Sequence, residues 1–265
     1  MAQPFLRWAG SKRKLVPTLK EFWTSNYQRY VEPFAGSACL FFEISPSRAL
    51  LGDVNIELIN AYRHMKRAPY AVLEELKSFK SGRKNYYEIR GLDINYLTPL
   101  RRAARFIYLN RYCFNGIYRT NKSGLYNVPY GGDKNRFPSN SVFLNCSDAL
   151  KKAKLISGDY KETLDLTCEG DFVYLDPPFS VKNRRIFTEY DATKFGLDEI
   201  FMLRQWMKKL RARGVSFLVS YAASKEARFL KDGFEWDVKK VQRTIASFSH
   251  KRKMAYELLI YNNRA

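Results

Sequence analysis

Short apolar runs of strand length alternate with stretches of helical spacing at both ends of the chain. RYVEPFAG reads as a strand entering a small-residue loop, and SACLFFE as the start of a helix. RALLGD is a second strand, ending in Asp53. NIELINAYRHMKR then repeats Ile56, Ile59, Tyr62 and Met65 along one helical face. Toward the C-terminus KLISGDY and DFVYLDPPF are strand-like, and LDEIFMLRQWMKKLRARG is an amphipathic helix closed by Gly214. VSFLVSYA is another apolar strand, SKEARFLKDG a capped short helix, and WDVKKVQRTI and AYELLIYN are two final strands. Strands interleaved with helices predict an α/β fold, a mostly parallel sheet with helices on both faces.

Residues 61–150 break that rhythm. AVLEELKSF is helical behind Pro69, where a first-turn proline is tolerated. LRRAARFIYLNRYCFNG is a second helix, ending near Gly116. Residues 117–148, rich in Tyr, Asn, Gly, Ser and Lys, read as a long functional loop or a small ribbon with little to fill a core. The expected layout is therefore a catalytic part over 1–60, a mainly helical insertion over 61–150, and the rest of the catalytic part over 151–265.

Charge narrows the partners. With 46 Lys+Arg against 26 Asp+Glu, the net charge is +20, which suits a polyanion, nucleic acid first. No segment approaches the ~18 uninterrupted apolar residues of a membrane span, and MAQPFLRWAGSKRK lacks the apolar core of a signal peptide. A cytoplasmic protein without a membrane partner is expected. Cys39, Cys113, Cys146 and Cys168 are scattered without CxxC spacing, and His64 and His250 lie far apart. No metal site or disulfide framework is expected, and each cysteine is expected to be a buried thiol.

In an open parallel sheet, ligands collect beyond the carboxyl ends of the strands. Three strand ends here are notable: EPFAGS, LGDVN and LDPPF. The small residues Ala35, Gly36 and Ser37 let a backbone approach a ligand. Asp53 can accept hydrogen bonds from ribose hydroxyls, or equally cap the helix after it. The DPPF stretch is more specific. An exocyclic amine on a base is a poor nucleophile because its lone pair is delocalised into the ring. Two acceptors on its N–H groups favour pyramidalisation and stabilise the positive charge that grows on attack. The Asp176 carboxylate supplies one and the Pro177 carbonyl the other. Pro177 and Pro178 fix φ and pre-organise the turn, and Phe179 offers a face on which a base can stack.

These stretches, in this order, resemble the Dam-like DNA adenine-N6 methyltransferases over nearly the whole chain. LRWAGSKRK is similar to that family's N-terminal WAGGK-type motif, VEPFAGSACLFF to its cofactor loop, and LGDVNIELINAY to its second strand with a terminal acid. LNRYCFNGIYRTNKSGLYNVPYG follows its recognition segment, and DPPF with RTIASFSHKRKMAYELLIYN completes the order. The resemblance implies a Rossmann-like S-adenosylmethionine-dependent methyltransferase sheet with an inserted target-recognition domain. It implies S-adenosylmethionine as methyl donor, held by Trp8, Lys12, Phe34, Ala35, Gly36, Asp53 and Asp176. Double-stranded DNA would be the substrate, met by a monomeric, nucleoid-associated or phage-encoded enzyme. DNA contacts would fall to Arg7, Arg111, Asn115, Tyr118, Arg119, Asn121, Lys122, Ser123, Pro129 and Tyr130. Arg101, Arg102 and Arg105, interleaved with Tyr108, Tyr112 and Tyr126, add cations suited to phosphate, as does the cluster Lys251, Arg252 and Lys253. Two departures stand out. Phe179 replaces the usual tyrosine, keeping the stacking face without the hydroxyl. Ser123 stands where members that methylate GATC can carry arginine. The same DPPF chemistry also suits adenine in RNA or N4 of cytosine, and a catalytically idle DNA-binding regulator could share the fold.

Overall fold

The structure is a computed structural model that describes residues 2–132, 137–178, 195–243 and 253–264. Among these residues the strands are β1 (Arg29–Glu32), β2 (Ala49–Asp53), β3 (Ala153–Ser157), β4 (Asp171–Leu175), β5 (Ser216–Ala222), β6 (Glu235–Arg243) and β7 (Lys253–Tyr261). They form one seven-stranded sheet in the order β3-β2-β1-β4-β5-β7-β6. The β1–β2, β1–β4, β2–β3 and β4–β5 pairs are parallel, and β7 runs antiparallel between β5 and β6. The α/β fold with a mostly parallel sheet is as the alternation of strands and helices predicts.

The helices are α1 (Val16–Lys20), α2 (Cys39–Ile44), α3 (Ile56–Arg67), α4 (Pro69–Ser78), α5 (Arg83–Gly91), α6 (Pro99–Tyr112), α7 (Asn140–Lys151), α8 (Tyr160–Asp165), α9 (Leu197–Ala212) and α10 (Lys225–Lys231). Side chains alternate across a strand, so each sheet face acquires its own core. Tyr30, Leu51, Phe172, Leu218 and Leu259 face one core, built with residues of α1 to α7. Val31, Leu50, Val173, Val219 and Ile260 face the other, with α8, α9 and α10. The first core runs without a break from the sheet into α4, α5, α6 and α7. At the amino edge, Arg29 grips Asp171 with Nε and Nη2 at 3.2 and 2.6 Å. That two-pronged pair fixes the register of β1 against β4.

Local signals explain the helix ends. Asn55 caps α3, its side chain accepting from Leu58 N at 3.1 Å, while His64, Lys66 and Arg67 close the last turn and suit the dipole there. Thr98 caps α6 ahead of Pro99. Asp159 and Glu162 form a capping box on α8, and Ser224 caps α10. Gly214, at φ +71°, ends α9.

Several expectations are corrected. Ile56 is exposed rather than part of the buried face of α3, because it opens the first turn at the carboxyl edge of the sheet. Leu58, Ile59, Ala61, Tyr62 and Met65 are the buried set. Residues 140–151 are the helix α7, not loop, with Phe143, Cys146 and Leu150 in the core. Ile117 and Val128 are buried as well, and the bridges Cys113–Tyr130 and Thr120–Tyr126 make a small ribbon of the segment between them. Cys39, Cys113 and Cys146 are buried free thiols, but Cys168 is exposed, lying in the turn before β4.

Candidate active site

The ends of β1, β2 and β4 are neighbours in the sheet, so EPFAGS, LGDVN and LDPP come together at its carboxyl edge, where a crevice for a ligand is expected. Gly36 has φ +46°, and a Cβ there would come within 2.9 Å of the Trp8 indole nitrogen. Glycine is what lets the N-terminal motif lie on this loop. The Tyr62 hydroxyl donates to Gly36 O at 2.6 Å. Ser37 reaches Ser11, Oγ to Oγ, at 3.3 Å. Phe34 stacks on Tyr160 with ring centroids 5.0 Å apart and meets Phe195 edge-on. The loop is therefore held from both faces of the sheet.

Asp53 does not cap α3; Asn55 does. The carboxylate instead bridges two backbones, accepting from Gly36 N through Oδ2 and from Asn55 N through Oδ1, each at 2.9 Å. Each oxygen keeps a lone pair for a further donor. Burial pushes the Asp53 carboxyl up to about 6, against the two amides that favour its charged form.

At the end of β4, Asp176 is met by Lys12 and Ser220. Lys12 Nζ and Ser220 Oγ both donate to Oδ1, the latter at 3.3 Å. Oδ2 accepts no hydrogen bond among the described residues. Ser220 Oγ lies 2.9 Å from the Tyr174 hydroxyl, which steadies it. Lys12 also pairs with Glu257 on β7, Nζ to Oε1 at 3.2 Å. Burial alone would lower the Lys12 ammonium; the Asp176 and Glu257 carboxylates outweigh it and hold it above the ordinary lysine range. Burial raises the Asp176 carboxyl, Lys12 pulls it back, Glu257 pushes it up and Ser220 lowers it. On β1, burial raises the Glu32 carboxyl well above its usual range although the Tyr30 hydroxyl donates to it at 3.0 Å. Pro177 is buried and Pro178 exposed, and Phe179 lies outside the described residues.

The ribbon that follows α6 meets the N-terminal motif through Trp8, which stacks on Tyr118 at 6.4 Å and 12°. Asn110 clamps the backbone of Arg7, accepting from its N at 2.8 Å and donating to its O at 2.5 Å. Arg7 Nη1 donates to Arg111 O at 3.3 Å. Burial, with Arg7 and Arg13 close by, lowers the Arg111 guanidinium to about 10. Asn115 adopts φ +54° at the turn into the ribbon. Asn121 Oδ1 accepts from Ser123 N and Leu125 N at 3.0 and 2.9 Å, shaping a tip that presents Lys122 and Ser123 to solvent. Pro129 O accepts from Phe114 N at 2.9 Å, and Tyr130 packs on Tyr86 at 5.4 Å.

Some arginines read as phosphate contacts are engaged inside the protein. Arg105 is buried, its Nε and Nη2 donating to the carbonyls of Ile89 and Arg90. Arg101 pairs with Glu75 and Arg102 with Glu57. Arg119 Nε donates to Asn127 Oδ1 at 2.7 Å, tying the two legs of the ribbon. Lys251 and Arg252 lie outside the described residues, as does the side chain of Lys253. Glu257, Ser220 and Tyr174 were not expected from the sequence. The signal for Glu257 is a lone acid within the apolar strand AYELLIY. Among the described residues no group of three or more His, Cys, Asp or Glu side chains gathers as a metal ligand set, and no helix is long and apolar enough to cross a membrane.

Residues 8–245 match the family of D12 class N6 adenine-specific DNA methyltransferases. The type II methyltransferase M1.LlaDCHI of Lactococcus lactis subsp. cremoris is 34% identical over 270 residues, covering 98% of this chain and 95% of that protein. The type II methyltransferase M.MjaIII of Methanocaldococcus jannaschii is 32% identical, covering 98% and 99%. A DNA adenine methylase of Vibrio cholerae serotype O1 is 32% identical, covering 96% and 94%.

Proposed function

Because the chain belongs to the D12 class of N6 adenine-specific DNA methyltransferases, we propose that it acts on an adenine flipped out of double-stranded DNA, with Asp176 as the acceptor of the N6 amine. An adenine amine inside a duplex is out of reach of a crevice at strand ends, so the base must leave the stack. The observation that carries the reading is the asymmetry of Asp176. Lys12 and Ser220 converge on Oδ1, which leaves Oδ2 to accept the N6–H. The Pro177 carbonyl takes the second N–H, and the pyramidalised nitrogen regains its lone pair. S-adenosylmethionine, when bound, supplies the methyl group from its sulfonium and leaves as the neutral thioether. The amine forms the new N–C bond, carries the positive charge against Asp176, and then loses one proton to that carboxylate or to water.

The strand-end residues fit this methyl donor. Gly36 lets its loop lie close against Trp8 while its amide anchors Asp53, and Asp53 keeps free lone pairs for ribose hydroxyls. Phe34, Ala35, Gly36 and Asp53 would hold it, with Trp8 over the loop. The ribbon, Arg7 and Arg111 supply the DNA side. 2-Aminopurine placed at the target adenine tests the flip: its fluorescence should rise several-fold on binding, and an unchanged signal in a bound complex contradicts the reading.

Losing Asp53 should cost cofactor and spare DNA. Asp53→Ala is expected to weaken S-adenosylmethionine binding about 10- to 100-fold, the worth of hydrogen bonds to a charged group, with DNA affinity little changed. The ionised form is the better acceptor, so wild-type cofactor affinity should be full above about pH 6 and fall as pH drops through it. Calorimetry at pH 7.5 and 5 on wild type and Asp53→Asn checks both; a pH response surviving in the asparagine variant reassigns the titration.

The target sequence should contain adenine but differ from GATC. An arginine fork grips guanine O6 and N7 together, for ~1–3 kcal/mol of discrimination, whereas a serine hydroxyl bonds several bases. Ser123 stands at that place on an exposed ribbon tip. Single-molecule sequencing of treated, unmethylated genomic DNA reads the answer, and methylation confined to GATC refutes it.

A further inference from the structure

Resting on the reading that Asp176 accepts the target amine, we propose that Tyr174 and Ser220 are positioning residues, a one-way hydrogen-bond chain that fixes the orientation of the Asp176 carboxylate. The three side chains share one face of the sheet. Tyr174 and Asp176 are two residues apart, so both point the same way from β4. Leu175 stands opposite Val219 on β5, and the next step along brings Asp176 beside Ser220. Both hydroxyls are buried, Ser220 at 0% exposure and Tyr174 at 1%.

The direction of the chain follows from its protons. Ser220 Oγ lies 2.9 Å from the Tyr174 hydroxyl and 3.3 Å from Asp176 Oδ1. Each hydroxyl has one proton to give. Among the described residues, the Tyr174 hydroxyl has no hydrogen-bond partner besides Ser220 Oγ. A buried hydroxyl proton without an acceptor is costly, so Tyr174 donates to Ser220. The Ser220 proton is then left for Oδ1, and each link polarises the next. Burial raises the Tyr174 phenol well above its usual range, which keeps the donated proton in place.

Lys12 also donates to Oδ1, but an ammonium is a point charge on a flexible stem and can follow a carboxylate as it turns. The Ser220 hydroxyl sits one torsion from the backbone of an interior strand, and the bond from Tyr174 selects that torsion. The chain therefore keeps Oδ1 engaged and Oδ2 available to the amine. Misplacing a reacting group by about 1 Å can cost on the order of 10² in rate.

The test is a double-mutant cycle on the single-turnover methyl-transfer rate, on duplex DNA with saturating cofactor. Ser220→Ala should slow transfer about 10-fold, the worth of a hydrogen bond to a charged group. Tyr174→Phe should slow it about threefold, because it acts only by directing Ser220. The double variant should be no slower than Ser220→Ala, since without the serine there is nothing for Tyr174 to direct. Cofactor and DNA affinities, read by calorimetry, should stay within about twofold of wild type on that same account. A folded Ser220→Ala at the wild-type rate overturns the proposal. So do losses that multiply to about 30-fold in the double variant, the sign of two independent packing defects. Circular dichroism checks the fold; if Ser220→Ala does not fold, Tyr174→Phe decides, an unchanged rate overturning the proposal. Asp176→Ala, run in parallel, separates the two claims. If it is inactive while Ser220→Ala keeps the full rate, only the chain falls, and if it is active, the reading of Asp176 falls as well.

Discussion

Asp176→Ala should leave the sheet assembled and cut methyl transfer about 10²–10³-fold, the usual cost of one preorganised electrostatic partner. The fold is expected to survive because Asp176 stands at a strand end and its loss does not strand a buried charge. Lys12 keeps Glu257 within 3.2 Å, and Ser220 keeps Tyr174. The chemistry is expected to fail because the amine loses the acceptor that would carry its growing charge. Cofactor binding by calorimetry and single-turnover rates on the pure variant separate these effects. A variant that methylates DNA within a few-fold of wild type would contradict the assignment of Asp176.

DNA affinity should collapse with salt. The formal charge of +20 already counts every acid against a cation, so an excess of cations is left to meet phosphate. Each phosphate neutralised contributes roughly 0.9 to the slope of log affinity against log salt. With ~5 phosphates met, affinity falls several-hundred-fold between 50 and 200 mM salt on that same scale. A fluorescence titration in the absence of cofactor measures the slope; a flat profile would remove phosphate contact from the account. The pairing of Arg101, Arg102 and Arg105 with Glu75, Glu57 and backbone carbonyls makes a further point. Neutralising any of them should disturb packing between the helices more than it disturbs the salt slope.

The sheet and its strand ends were legible because period and punctuation agreed there. Short continuous apolar runs such as FVYL, stopped by an acid and prolines, suit strands buried on both faces, and acids and small residues mark where they surface. Asp53 and Asp176 were visible for that reason, since an acid has little cause to end a buried strand unless something uses it. Glu257 was hidden because an acid in a strand usually marks a solvent-facing side, and only the third dimension brings Lys12 from the opposite end of the chain to meet it. The helix α7 was obscured by its Asn- and Ser-rich start, although Phe143, Cys146 and Leu150 keep helical spacing. Arginines that look alike along LRRAARFIYLNRYCFNG divide into core and surface according to where carbonyls and acids of α3, α4 and α5 lie. Local sequence does not carry that information.

The central claim is that this crevice delivers a methyl group to the N6 amine of adenine in duplex DNA. Unmethylated DNA incubated with the pure protein and S-adenosylmethionine, digested to nucleosides and separated by mass spectrometry, tests it most directly. N6-methyldeoxyadenosine should be the methylated product with wild type and fall to near background with Asp176→Ala. N4-methyldeoxycytidine in its place, or equal N6-methyldeoxyadenosine from both proteins, would contradict the account.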